Sequence, residues 1–119
     1  MENLLNGILS WSTLVVGGLM IAAPPVAAKL LKLPPRPNLN FAIRALGSRD
    51  VVLALGLLRS EVGSSDWRML VAGTTLVHAI DVGSAVWSWR EGSLSAEAAR
   101  STATVDVGLV GMGLWLLRG

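Results

Sequence analysis

The stretch from Leu39 to Leu58 limits what this chain can become more than any other. At 1.5 Å rise per residue, ~20 apolar residues cross a hydrocarbon core of ~30 Å, and this run has that length. It also carries Arg44, Arg49 and Asp50. On insertion scales a charge at the bilayer centre costs at least ~2.5–3.5 kcal/mol, so such residues turn toward other helices or a wet cavity. The rest of the chain then has to supply their partners.

Composition sets the frame. The chain has 119 residues, 52% of them hydrophobic, with a mean hydropathy of +0.58. The apolar residues fall in long runs, which suits a membrane protein better than a small soluble domain. Four crossings use most of the length, so one compact all-α domain is expected over 1–119: an integral membrane four-helix bundle. No basic run or aromatic–basic interleaving points to nucleic acid. Cysteine is absent, which removes disulfides, thiol catalysis and cysteine-based metal sites.

The first run, 4–23, has no Lys or Arg ahead of it and is longer than the apolar part of a signal peptide, so it reads as a retained span. Pro24-Pro25 breaks it, and Val26 to Leu33 reads as a short basic amphipathic piece at the interface or as a frayed helix end with snorkelling lysines. The proline-rich loop 34–38 follows, with Asn38 or Asn40 as a cap for the second span, 39–58. Ser65 or Asp66 caps the third span, 67–89, whose terminal tryptophans Trp67, Trp87 and Trp89 match interfacial belts. Gly92 suits a helix C-terminus. Ser95-Ala96-Glu97 opens the last helix, with a span at 101–117. Loops on one side hold Lys29, Lys32, Arg36, Arg90 and Arg100, against Arg59, Arg68 and Arg118 opposite, a bias toward both termini outside. The expected location is a cell membrane, the inner one in a bacterium.

Depth along the spans gathers the ionisable residues. Arg44 and Asp106 lie about five residues into spans that start on the same side. Arg49 and Asp50 are deeper, and His78 and Asp81 approach the same half from the opposite side. Thr74, His78, Asp81 and Ser88 form one stripe at ~100° per residue. Arg49 and Asp50 point roughly 140° and 240° away from Arg44 around their helix, so the three span-two charges do not all fit one narrow pocket. One of Arg49 and Asp50 is expected to bind another neighbour or a second subunit. Arg–Asp pairs between membrane helices can also serve packing alone, and His78 with Asp81 can be a local hydrogen-bonded step. One histidine without cysteine makes a poor zinc set, so neither metal nor cofactor is expected.

The segment Arg44-Ala45-Leu46-Gly47-Ser48-Arg49-Asp50, with Ala79-Ile80-Asp81 in the next span, resembles a family of small four-span membrane proteins of bacteria and fungi. The resemblance rests on Arg44, Gly47, Arg49, Asp50 and Asp81 and covers about a third of the chain. It implies a four-helix membrane fold and no particular reaction.

The residues themselves favour a membrane-embedded enzyme that isomerises or cyclises a lipophilic polyene, polyketide or terpenoid by acid–base chemistry. In that reading Asp81 or Asp50 donates a proton and His78 is base or relay. Arg44, Arg49, Asp106, Thr74 and Trp87 contact the substrate. The alternative is a non-catalytic accessory subunit, whose faces at Gly17-Gly18, Gly108, Gly111 and Gly113 dock a larger membrane protein or another copy of the chain. Proton or solute transport ranks last, for want of a broken-helix repeat.

Overall fold

The computed structural model describes residues 1–33 and 37–118, and among them every regular element is helical. The order is α1 (Glu2–Ala22), α2 (Pro24–Leu30), α3 (Pro37–Arg59), α4 (Ser65–Arg90) and α5 (Ala96–Leu117). The four long helices match the four expected apolar segments, and the fifth is a short helix after the proline break. Two of them, α1 and α4, are long and apolar enough to cross a membrane. In the proline-rich loop, Pro34, Pro35 and Arg36 lie outside the described residues.

Local chemistry sets the boundaries. Ser64 caps α4 by accepting from the Trp67 amide at 3.1 Å, one residue earlier than expected. Ser95 caps α5 in the same way through Ala98. α3 begins at Pro37, a residue suited to a first helical turn, so positions 38 and 40 lie inside the helix and not ahead of it. α4 ends in a Schellman arrangement, with Gly92 at φ 83° and the Ser93 amide donating to Ser88. α2 ends in the same arrangement, but Lys32 takes the left-handed position at φ 62°.

The helices associate as two antiparallel pairs, α1 with α3 and α4 with α5, which touch each other much less. Glycines let α1 and α3 approach closely: a Cβ on Gly47 would lie 2.6 Å from the Gly17 carbonyl oxygen. Gly113 gives the same freedom against Thr75 of α4. At one end the pairs are joined by a buried apolar cluster of Leu9, Leu57, Trp67, Val71, Leu109 and Leu116. Trp67 is therefore a core residue, 1% exposed, and not an interfacial anchor. Its Nε1 donates to Asn6 Oδ1 at 2.8 Å. At the other end Met20, Ile43 and the buried alanines of α2 form a smaller cluster.

Along α1 and α4, large apolar residues face outward and polar ones lie inside. On α1, Leu4, Ile8, Trp11 and Val15 are exposed, while Asn6, Ser10, Thr13 and Gly17 are buried. On α4 the outer face carries Met69, Leu76, Ile80 and Trp87, and the inner face Thr74, Thr75 and His78.

Candidate functional site

The space between the two pairs holds most of the span charges. Arg49 of α3 reaches Asp81 of α4 through two bonds, Nη2 to Oδ2 at 2.8 Å and Nη1 to Oδ1 at 3.3 Å. The same guanidinium folds back on Asp50, donating to Oδ1 from Nη2 at 3.1 Å and from Nε at 3.2 Å. A planar five-donor group can serve two carboxylates at once, which a lysine ammonium does less well. Arg49 and Asp50 thus belong to one cluster, and neither turns to a separate neighbour.

His78 takes a different acid from the one its sequence neighbourhood suggests. Its Nδ1 lies 2.7 Å from Asp106 Oδ1 on α5, and both residues are buried. One proton lies between Nδ1 and Oδ1, on either atom according to the tautomer of the ring. Nε2 is buried and has no hydrogen-bond partner, as are Ser10 Oγ and Thr13 Oγ1. The Asn6–Trp67 bond fixes the level of α4 beside α1. Gly17 and His78 each lie eleven residues beyond it, so Thr13 and Ser10 sit one and two turns below the imidazole.

Arg49, Asp50, Asp81 and Asp106 line a cavity of about 260 Å³. The remainder of its wall is largely aliphatic, with Met20, Leu31, Leu39, Ile43, Leu46 and Val105 among the contributors. Ser84, Ser88 and Thr102 supply hydroxyls. His78 does not line the cavity; it reaches it through Asp106.

No protein-family model matches the chain, and no curated protein or solved structure is similar to it.

Three expected contact residues lie elsewhere. Arg44 is exposed on α3 and donates from Nε to the Ile21 carbonyl oxygen at 3.3 Å. The cause is local: the amide that would satisfy Ile21 in an unbroken helix belongs to residue 25, a proline with no N–H. Arg44 supplies the missing donor. Thr74 is buried but returns its hydroxyl to the Leu70 carbonyl at 2.8 Å, one turn from His78. Trp87 is 70% exposed on the outer face of α4 and lines nothing.

Two features escaped the sequence reading. The His78–Asp106 pair joins helices whose rotation about their axes cannot be read from spacing alone. The polar inner stripe of α1 was visible, since Asn6, Ser10, Thr13 and Gly17 follow i, i+4, i+7, i+11 spacing. None of those residues is charged, so ionisable groups alone do not single the stripe out.

His78, Asp81 and Asp106 also present ligand atoms within 4.8 Å of one another, a spacing open to a metal ion. Both Asp81 oxygens already accept from Arg49 and the Nδ1 of His78 faces Asp106, so an ion there would compete with the guanidinium for Asp81. As arranged, the groups favour moving a proton over coordinating an ion. Asp106 opens on an apolar cavity, with an imidazole behind it to take up or return the proton.

Proposed function

We propose that the chain spans a cell membrane (the inner one if the host is a bacterium) with its four long helices, and that it is a small enzyme. The bilayer reading is supported by the length and composition of α1 and α4 and by the apolar outer and polar inner faces of both. The longest dimension of 41 Å also fits a bilayer with its interfaces. The chemistry is acid–base isomerisation or cyclisation of a lipophilic small molecule without a cofactor. The observation that carries it is the aliphatic cavity ending on Asp106 with His78 behind.

Asp50 and Asp81 are both engaged by Arg49, so they serve as fixed negative charges near a developing cation. Asp106 is the group free to exchange a proton. In a double-bond shift it delivers a proton to one carbon of a conjugated system. The adjoining C–H then returns a proton to the pair, so no net oxidation occurs. His78 acts through Asp106, while Arg49 keeps the other two acids in place.

Lipid-extract profiling of cells expressing the wild type, Asp106→Asn or Asp81→Asn tests this. Loss of one lipophilic product in Asp106→Asn, at unchanged membrane levels of the protein, is expected. Identical profiles would rule out turnover at Asp106.

A second reading has its own support. Gly108 and Gly111 face open space on α5, where an added Cβ meets nothing within 4 Å. A small-residue face of that kind suits docking to a larger membrane protein or to a second copy. Gly17 and Gly113 are already used inside the chain and do not contribute to it.

A further inference from the structure

We infer that the cavity takes a lipophilic cation: a protonated amine or related head group set against Asp106 and Asp50, with an aliphatic or alicyclic body lying along Leu31, Leu39 and Leu46. The inference deepens the enzyme reading above by naming its substrate class, and it rests on the same cavity.

The charge on the wall decides the class. Three carboxylates, from Asp50, Asp81 and Asp106, line the cavity with one guanidinium. That guanidinium is committed, since Nη1, Nη2 and Nε all donate to Asp81 or Asp50. Four of its five N–H groups are used, which leaves a single Nη1 N–H and no two-pronged edge to receive an anion. Arg44, on the same helix, is held outside by the Ile21 carbonyl. Lys32, near the α2 end of the cavity, pairs with Glu97 at 3.5 Å on the surface. A carboxylate-bearing ligand would therefore meet net negative charge in an apolar setting, where like charges repel strongly.

A cation restores the balance and needs no existing bond to break. Oδ2 of Asp50 and Oδ2 of Asp106 make none of the hydrogen bonds found in the cluster, so both remain able to accept from an ammonium. A divalent metal at the same place would sit beside the Arg49 guanidinium, whose like charge repels it. The rest of the wall is apolar, so a bare hydrophilic cation would be desolvated with little in return. The volume, about 260 Å³, lies just under the ~300 Å³ at which small-molecule pockets begin. The body is thus one short chain or compact ring system.

The test uses the full chain in nanodiscs of neutral phosphatidylcholine, titrated calorimetrically with decylammonium, decanol and decanoate against empty discs. Decylammonium is expected to bind roughly 10-fold tighter than either of the others, about one decade in Kd. Asp106→Asn should abolish that preference, and Arg44→Gln should keep it. Asp50→Asn serves as the second variant, with the same loss expected, should Asp106→Asn fail to fold by size-exclusion and circular dichroism. Equal binding of the three probes, tighter decanoate, or no binding overturns the inference. So does displacement of decylammonium by Zn²⁺ or Mn²⁺ in a His78-dependent manner. Binding needs no turnover, so the two claims fail separately. Amine selectivity with unchanged lipid profiles removes the enzyme and keeps the site. A vanished product with no amine selectivity keeps the enzyme and removes the cation.

Discussion

Arg49 and Asp81, thirty-two residues apart, meet through two hydrogen bonds of 2.8 and 3.3 Å and join the α1/α3 pair to the α4/α5 pair. Contacts between the two pairs are few compared with those within each pair. The ion pair is thus a main tie across the cavity.

Removing the guanidinium should therefore cost more than one contact. Arg49→Leu leaves Asp50 and Asp81 without their shared donor, and unfolding should ease by ~1–3 kcal/mol, the usual cost of stranding buried polar groups. Arg49→Lys should recover only part of this, because an ammonium cannot reproduce the two-sided fork. Denaturant titration in mixed micelles, followed by circular dichroism, is the measurement. A lysine variant as stable as the wild type would mean that the geometry of the fork is immaterial.

Arg44 should separate cleanly from Arg49. Its one described hydrogen bond is to the Ile21 carbonyl beside the proline break. Arg44→Ala should lower stability by ~0.5–1.5 kcal/mol, the net worth of a typical hydrogen bond, and leave ligand binding unchanged. Restoring the donor from within the chain makes a sharper check. In Pro25→Ala the backbone amide can bond Ile21 itself, so the further loss on removing Arg44 should shrink. A double-mutant cycle with no coupling between positions 25 and 44 would contradict the assignment.

Sequence reading recovered what periodicity and length control, and lost what helix rotation controls. The long helices and the Gly92 terminus follow from local rules, and depth along the spans correctly brought Arg49, Asp50, His78, Asp81 and Asp106 to one level. Depth also drew in Arg44, because a helical count fixes height without saying which carbonyl lacks a donor across the interface. Thr74 was on the right stripe, but its hydroxyl was taken by its own helix. Trp67 was misread for a related reason: tryptophan at a helix end is common at interfaces, and only the neighbouring helix brings Asn6 to its ring nitrogen.

Lys32 offers a test of local strain. It occupies the left-handed position that ends α2, at φ 62°, where an L-residue pays roughly 1–2 kcal/mol relative to an unstrained conformation. Lys32→Gly removes that cost. The surface pair it gives up with Glu97 is exposed on both sides and contributes little. The variant should be more stable than the wild type, read as a higher melting temperature. An unchanged or lower value would show that the lysine's own contacts offset the backbone strain.

The glycines divide into two groups whose variants should behave differently. Gly47 faces the Gly17 carbonyl at 2.6 Å and the Met20 Cβ at 2.7 Å from where a methyl would stand. Backbone cannot yield as a side chain does, so Gly47→Ala must push α1 away from α3 and disturb the cavity between Met20 and Ile43. A loss of ~1–3 kcal/mol is expected, in the range of overpacked cores, together with weaker ligand binding. Gly108 has open space around it, and there alanine should gain ~1 kcal/mol from helix propensity alone. Gly108→Leu then asks a separate question, because a bulky side chain on that face is harmless to a monomer but blocks close helix–helix docking. Sedimentation in detergent, or crosslinking in native membranes, reads the result. A folded Gly108→Leu variant that drops out of a larger complex would favour the docking reading of this face, and an unchanged association state would leave α5 facing lipid.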